Sequence, residues 1–351
     1  MKKVNSIIIC TFMLLLSCFS FVEAIDTFQG ELKGSKIFIA IPDDWNKHLL
    51  ILAHGGAEGR LSLSGDFDYE KKYYKTLLNE GWMIASTSYR RNGIIIYEAI
   101  EDIGYLREYV IKTYGKPIRI FIDGHSMGGA IGTLIAENYH DQYDGLLLID
   151  PALSESITSR YQLKMNYTPR IPILYLCNQD EAAATQGYLD KLDKNAVIPG
   201  FWIVKRDGHV NVNDEEELLA FKAMVDYANQ KPITMKRELL IIPSDKPSVA
   251  VFKDGGAYSK VIRVHPKYGN IDTELVPSDI EKLGINKGDT FTVHFEKKSF
   301  KIYLGITFSD VSKGEWIAFF KEDGLLKIAR NHDSAAKLLG CKEGNMVFIK
   351  K

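Results

Sequence analysis

The chain has 351 residues, with 44 Lys+Arg against 45 Asp+Glu and 46% hydrophobic residues. This composition is ordinary for a globular protein and excludes a disordered or fibrous chain. A formal net charge of -1 offers no field for holding nucleic acid or an anionic membrane surface, and the length suits two domains.

Residues 1–24 read as an export signal. Lys2 and Lys3 give the positive start, Ile7 to Leu16 the apolar stretch, and Val22-Glu23-Ala24 the small residues around a cleavage point. The apolar run, broken by Thr11, Ser17 and Ser20, is short for spanning a bilayer. Removal of the segment and an exported protein, periplasmic or secreted, are therefore expected. Leu15-Leu16-Ser17-Cys18 also resembles a bacterial lipobox, in which lipidated Cys18 would tie the protein to a membrane. Cleavage after Ala24 leaves Cys177 and Cys341 in different expected domains, which argues against a disulfide framework.

From 36 to 230 the chain alternates short apolar runs with amphipathic stretches. The runs are Leu49–Ala53, Met83–Ser86, Ile118–Ile122, Leu146–Ile149, Ile173–Leu176 and Phe201–Val204. The stretches between include Tyr69–Asn79, Tyr97–Tyr114, Gly128–Tyr139 and Glu215–Tyr227. Runs of strand length that are apolar on both faces predict a mostly parallel sheet covered by helices, an α/β fold. Lys231-Pro232 breaks the last helix, giving an expected first domain of 25–232. Beyond it, 233–351 reads as a second, smaller, mostly β domain, with Asp333–Leu339 its one helical stretch.

Gly124-His125-Ser126-Met127-Gly128-Gly129 follows one of these strands and opens a helix. A serine on a sharp strand-to-helix turn needs glycines two residues before and after it, because side chains there would strike neighbouring backbone. The turn lifts the hydroxyl above the sheet edge and aims a helix N-terminus at developing negative charge. Ser126 is thus the candidate nucleophile. The loop His54-Gly55-Gly56-Ala57 follows an earlier strand, so the amides of Gly56 (or Ala57) and Met127 are the candidate oxyanion hole.

A serine hydroxyl needs a base, and the base needs an orienting carboxylate. His209 follows the strand Phe201–Val204 and precedes the last helix, where the base of this fold belongs. His140 ends the helix after the serine, and His265, His294 and His332 lie in the second domain. Asp180, after the strand Ile173–Leu176, is the favoured acid; Glu181 and Asp150 are the competitors. The short stretch between Ile149 and Ile171 leaves room for only a small lid, hence an open site and a soluble substrate.

On these residues, 36–230 resembles the α/β-hydrolase superfamily, and Asn79–Gly93 resembles secreted bacterial members of it. The resemblance implies hydrolysis of an ester, thioester or amide through an acyl-enzyme, with no cofactor and no metal. Residues 261–349 resemble the C-terminal domain of the S-adenosylmethionine hydroxide adenosyltransferases. The carrying motifs are Tyr268-Gly269-Asn270-Ile271-Asp272-Thr273, Thr307-Phe308-Ser309-Asp310-Val311, Gly324–Ala329 and Ser334-Ala335-Ala336. That resemblance implies a nucleoside-like ligand, with Asn270 as its candidate contact, although Lys321-Glu322-Asp323 stand where the family has Asn-Ser. Three functions follow: an exported hydrolase of a small ester-type substrate, a non-catalytic nucleoside- or partner-binding protein, and an acyltransferase. The complete Ser-acid-His order favours the first.

Overall fold

The computed structural model describes residues 25–56, 62–243, 246–265 and 269–351. The stretch 1–24 expected to be an export signal, Ala57 and Tyr268 lie outside the described residues. Among the described residues no helix is long and apolar enough to cross a membrane.

The first domain is built on a nine-stranded sheet in the order β1-β2-β4-β3-β5-β6-β7-β8-β9. Its strands are β1 (Ile25–Leu32), β2 (Ser35–Pro42), β3 (His48–Ala53), β4 (Met83–Thr87), β5 (Arg119–His125), β6 (Gly145–Ile149), β7 (Ile173–Asn178), β8 (Gly200–Val204) and β9 (Lys236–Leu239). From β4 across to β9 all neighbours are parallel, while β1 and β2 form an antiparallel hairpin. Lys33 and Gly34, both at positive φ (51° and 88°), close that hairpin in the primed geometry that matches strand twist. The hairpin escapes the sequence reading because its outer strand is largely exposed and carries no continuous apolar run.

Six helices cover the sheet: α1 (Lys72–Asn79), α2 (Ile96–Tyr114), α3 (Met127–Asn138), α4 (Glu155–Arg160), α5 (Ala182–Leu189) and α6 (Asp214–Ala228). The helices α2, α3 and α5 pack on one face and α1 and α6 on the other, each with its own apolar core. Burial on both faces explains why β4, β6 and β7 are apolar throughout rather than alternating. Lys231-Pro232 follows the end of α6, but the sheet then gains β9, so the domain runs on to Leu239. A strand so short, with three exposed residues of four, has too little apolar pattern to be seen in sequence.

The second domain is an eight-stranded sheet from Val251–Lys253 to Met346–Lys350. Pairing of Gly256–Val264 with Met346–Lys350 closes it on itself as a barrel-like unit around Phe291, Val293, Ile302, Ile328 and Ile349. Besides Ala335–Leu339 it contains a second helix, Pro277–Lys282. Pro277 sits in the first turn, and the Asp279 carboxylate accepts from Val276 N at 3.0 Å. Proline and aspartate read as a turn in sequence, yet both are good helix starters.

The linker is held from both sides. Ile241 O accepts from Asn213 Nδ2 at 2.6 Å, and Ile241 N donates to Glu216 Oε1 at 2.9 Å. Two residues on, Pro243 O packs on Gly324 of the β domain so closely that a Cβ there would stand 2.5 Å away.

Candidate active site

Ser126 stands between β5 and α3 at φ 56° and ψ −115°, a conformation unfavourable for any residue with a side chain. Packing enforces it. A Cβ on Gly128 would lie 1.7 Å from Ala53 O, and one on Gly124 2.5 Å from Gly128 O. The serine backbone is also tied down: Ser126 N donates to Ile149 O at 2.9 Å, and Ala152 N donates to Ser126 O at 3.0 Å. Met127 opens α3, and the amides of a first helical turn have no partner within their helix.

The candidate base lies beside the candidate nucleophile. His209 Nε2 lies 2.8 Å from Ser126 Oγ, across 83 residues of sequence. The loop carrying it leaves β8 through Gly208 at φ 128° and Val210 at φ 52°. Three side chains at the ends of neighbouring strands stitch that loop. Asp180 accepts from Gly208 N at 3.0 and 3.1 Å, Asp150 Oδ2 accepts from Val210 N at 2.7 Å, and Asn178 Oδ1 accepts from Asn211 N at 2.8 Å. The carboxylate near His209 Nδ1 is that of Glu181, with Oε1 at 3.6 Å. Asp180 thus lies on the loop backbone and Glu181 beside the ring. Asp150 is buried and also accepts from Asn178 N at 2.8 Å; burial pushes its carboxyl up to about 6 against those hydrogen bonds.

Opposite the helix start, the His54–Gly56 loop passes against the nucleophile. A Cβ on Gly55 would sit 3.7 Å from Ser126 Oγ, whereas one on Gly56 would meet Ile94 Cδ1 at 2.7 Å. His54 stacks on Tyr89 with ring centroids 4.1 Å apart, and burial holds its ring below the usual histidine range. The short α4 is all that stands between β6 and β7 as a lid, and half of the His209 side chain stays exposed, 49%. Beside Asp180 and Glu181 opens a cleft of about 610 Å³, walled by Leu153, Met165, Tyr167 and Tyr188. Tyr73 and Tyr74 are core residues of the opposite face.

One feature went unseen in the sequence. His125, next to the nucleophile, places Nε2 3.1 Å from Asp123 Oδ1 and 3.2 Å from Glu217 Oε1. Lys71 Nζ reaches Glu217 Oε2 at 3.0 Å and Asp214 Oδ1 at 3.2 Å. Burial disfavours the imidazolium, but the Asp123 and Glu217 carboxylates more than offset it and hold His125 up to about 10. Burial likewise works against the Glu217 charge, and His125 and Lys71 overcome it, lowering the carboxyl to about 2. The three ligand atoms are close enough to hold a metal; a proton on His125 supplies the positive charge they need. In the acidic run at the start of α6, Glu216 pairs with buried Arg206 at 2.7 Å and Glu217 with this cluster. Its partner Lys71 is 146 residues away, which no local pattern records.

In the second domain Asn270 is buried and lines a cleft of about 630 Å³ with Phe308, Arg330 and His332. Lys321, in the position of the family's small polar pair, is bound to Asp272 at 3.2 Å and Asp323 at 2.9 Å.

Residues 96–195 match the family model of the S33 serine aminopeptidases, and residues 259–348 that of the SAM hydroxide adenosyltransferase C-terminal domain. A curated relative, an o-phthalyl amidase from Xanthobacter agilis, is 27% identical over 115 residues, 32% of this chain. The match spans about a quarter of that amidase, 24% of its length. Among solved structures, an uncharacterised conserved protein from Thermotoga maritima is 24% identical over 39% of this chain and 50% of its own, at a TM-score of 0.28. A protein described as a predicted CIB-like hydrolase, from Thermoplasma acidophilum, is 21% identical over 59% of this chain and 99% of its own, at a TM-score of 0.43. The first domain has the α/β-hydrolase fold and matches the serine aminopeptidase model over residues 96–195, and the second matches the adenosyltransferase C-terminal domain over 259–348.

Proposed function

We propose that this chain is an exported serine hydrolase that cleaves a small carboxylic ester, thioester or amide through an acyl-enzyme. The observation that carries the reading is the 2.8 Å contact between Ser126 Oγ and His209 Nε2 on a sterically enforced elbow. In acylation the Ser126 hydroxyl proton passes to His209 Nε2 while Oγ bonds to the substrate carbonyl carbon. The oxyanion is received by the Met127 amide and the backbone of the Gly55-Gly56 loop. The tetrahedral species then collapses, the bond to the leaving group breaks, and His209 returns the proton to that group. Water repeats the sequence on the acyl-enzyme, giving a carboxylic acid and free Ser126. The Asp180–Glu181 pair orients His209, Asp180 by gripping Gly208 N and Glu181 by facing Nδ1.

The resemblance to an amidase over part of the chain supports keeping amides within the substrate class. The open cleft beside Glu181 supports a soluble substrate. Export rests on Lys2, Lys3 and the apolar stretch after them. A nucleoside-like ligand on the β domain remains the second reading, favoured by buried Asn270 in its cleft. The test is labelling of the purified protein with a fluorophosphonate probe, read by intact mass, in wild type and Ser126→Ala. One probe per chain, lost in the variant, is expected; folded wild type that takes up none would overturn the reading.

A further inference from the structure

The histidine loop is touched from outside its own domain. Asp207, two residues before His209, splits its carboxylate between two donors. Oδ1 accepts from Gln179 Nε2 at 2.9 Å, and Oδ2 accepts from the Thr307 hydroxyl of the β domain. Its carbonyl accepts from Asn211 Nδ2 at 2.6 Å, so the residue is gripped at both ends.

Thr307 is a fixed point rather than a surface hydroxyl. It is 6% exposed and starts the turn Phe308–Asp310. Asp310 Oδ2 accepts from Ile306 N at 2.6 Å and Thr307 N at 3.1 Å, which locks the turn. Phe308 meets Phe319 edge-to-face at 5.0 Å. Gly305 is required just ahead, because a Cβ there would come within 2.6 Å of Asp310 Oδ2 and 2.7 Å of Ile317 Cδ1. The linker braces the same arrangement, with Ile241 bound to the hydrolase domain and Pro243 O packed on Gly324 of the β domain. Burial and the neighbouring Asp180 and Asp310 charges raise the Asp207 carboxyl, as a carboxylate closed in between two domains should be.

We propose that Thr307 is a positioning residue for the catalytic base, and that the β domain thereby completes the hydrolase site. The proposal rests on the serine-hydrolase reading above. Its physical basis is the backbone of the loop: Gly208 and Val210 both hold positive φ, so the ring position of His209 depends on outside contacts. Gln179 and Asp180 hold the loop from the sheet side. Thr307 holds Asp207 from the β domain. Without it Asp207 keeps only its bonds to Gln179 and Asn211, both within the hydrolase domain, and its Oδ2 is released; a displacement of about 1 Å passed on to a proton-transferring group costs on the order of 100-fold in rate.

The experiment uses full-length wild type, Thr307→Val and Thr307→Ser. Two quantities are followed: the fluorophosphonate labelling rate against pH, and amide hydrogen exchange over residues 205–212. Valine keeps the volume and loses the donor; serine restores the donor. In Thr307→Val we expect a labelling rate lower by roughly 10- to 100-fold, a displaced pH midpoint, and faster exchange in the loop. Labelling should still reach one probe per chain, thermal unfolding should stay cooperative and fall by no more than the loss of one buried hydrogen bond, and serine should restore the rate. A Thr307→Val protein with wild-type labelling, pH midpoint and exchange overturns the inference. Loop exchange that rises in Thr307→Val while wild type itself takes up no probe leaves the positioning contact standing and sinks the hydrolase reading instead.

Discussion

Replacing Glu181 by glutamine removes the carboxylate that faces His209 Nδ1 and keeps the shape of the side chain. At 3.6 Å, the Glu181–imidazolium attraction is about 1 kcal/mol in bulk water and about 5 kcal/mol at an effective dielectric of 20. Both side chains are nearly half exposed, at 42% and 49%, so solvent screening keeps the value near the lower limit. A loss of about 1–2 kcal/mol corresponds to a drop in kcat of roughly 5- to 30-fold. Asp180→Asn should behave differently. Its Oδ1 still accepts from Gly208 N, so the loop stays tethered and only the charge-assisted part of that bond disappears. Less than about a tenfold fall in kcat is expected there. The assay is p-nitrophenyl ester hydrolysis across pH, with labelling rates as a check. A fully active Glu181→Gln beside an Asp180→Asn reduced by about 10⁴, the cost of losing a direct triad acid, would refute this division of labour.

Two further outcomes are expected. Gly128→Ala forces a methyl to 1.7 Å from Ala53 O, against the backbone of Ala53 and His54, and should cost at least about 3 kcal/mol or prevent soluble expression; a melting temperature like that of wild type would contradict it. For His125, the folded value of about 10 against 6.5 when unfolded means its contribution is complete below about 6.5 and lost as pH rises through about 10. Urea midpoints at pH 7 and pH 10 should therefore fall further in wild type than in His125→Gln, and equal falls would remove His125 as the cause.

Much of this protein is written in local sequence. The strands β3 to β8 are legible because each is buried on both faces and so must be continuously apolar. Ser126 is legible because its elbow admits only glycine on either side, a steric demand met within five residues. His209 is legible by its place after β8, since chain order along a wound sheet fixes which loop ends reach the active edge. Where the chain's information is non-local, the sequence is silent. The strands β1 and β9 are the edges of the sheet, recognised only by the neighbours they pair with. Whether Asp180 or Glu181 faces the imidazole turns on the direction of two adjacent side chains, which depends on how the loops after β7 and β8 pack. The His125–Asp123–Glu217–Lys71 cluster and the Thr307–Asp207 contact join residues far apart along the chain. Buried charge is stable only when paired, and the pairing partner is chosen by the folded surface, not by the neighbouring residues. Chemistry confined to one turn could thus be read from the chain, whereas the electrostatics and the joining of the two domains were decided only by tertiary structure.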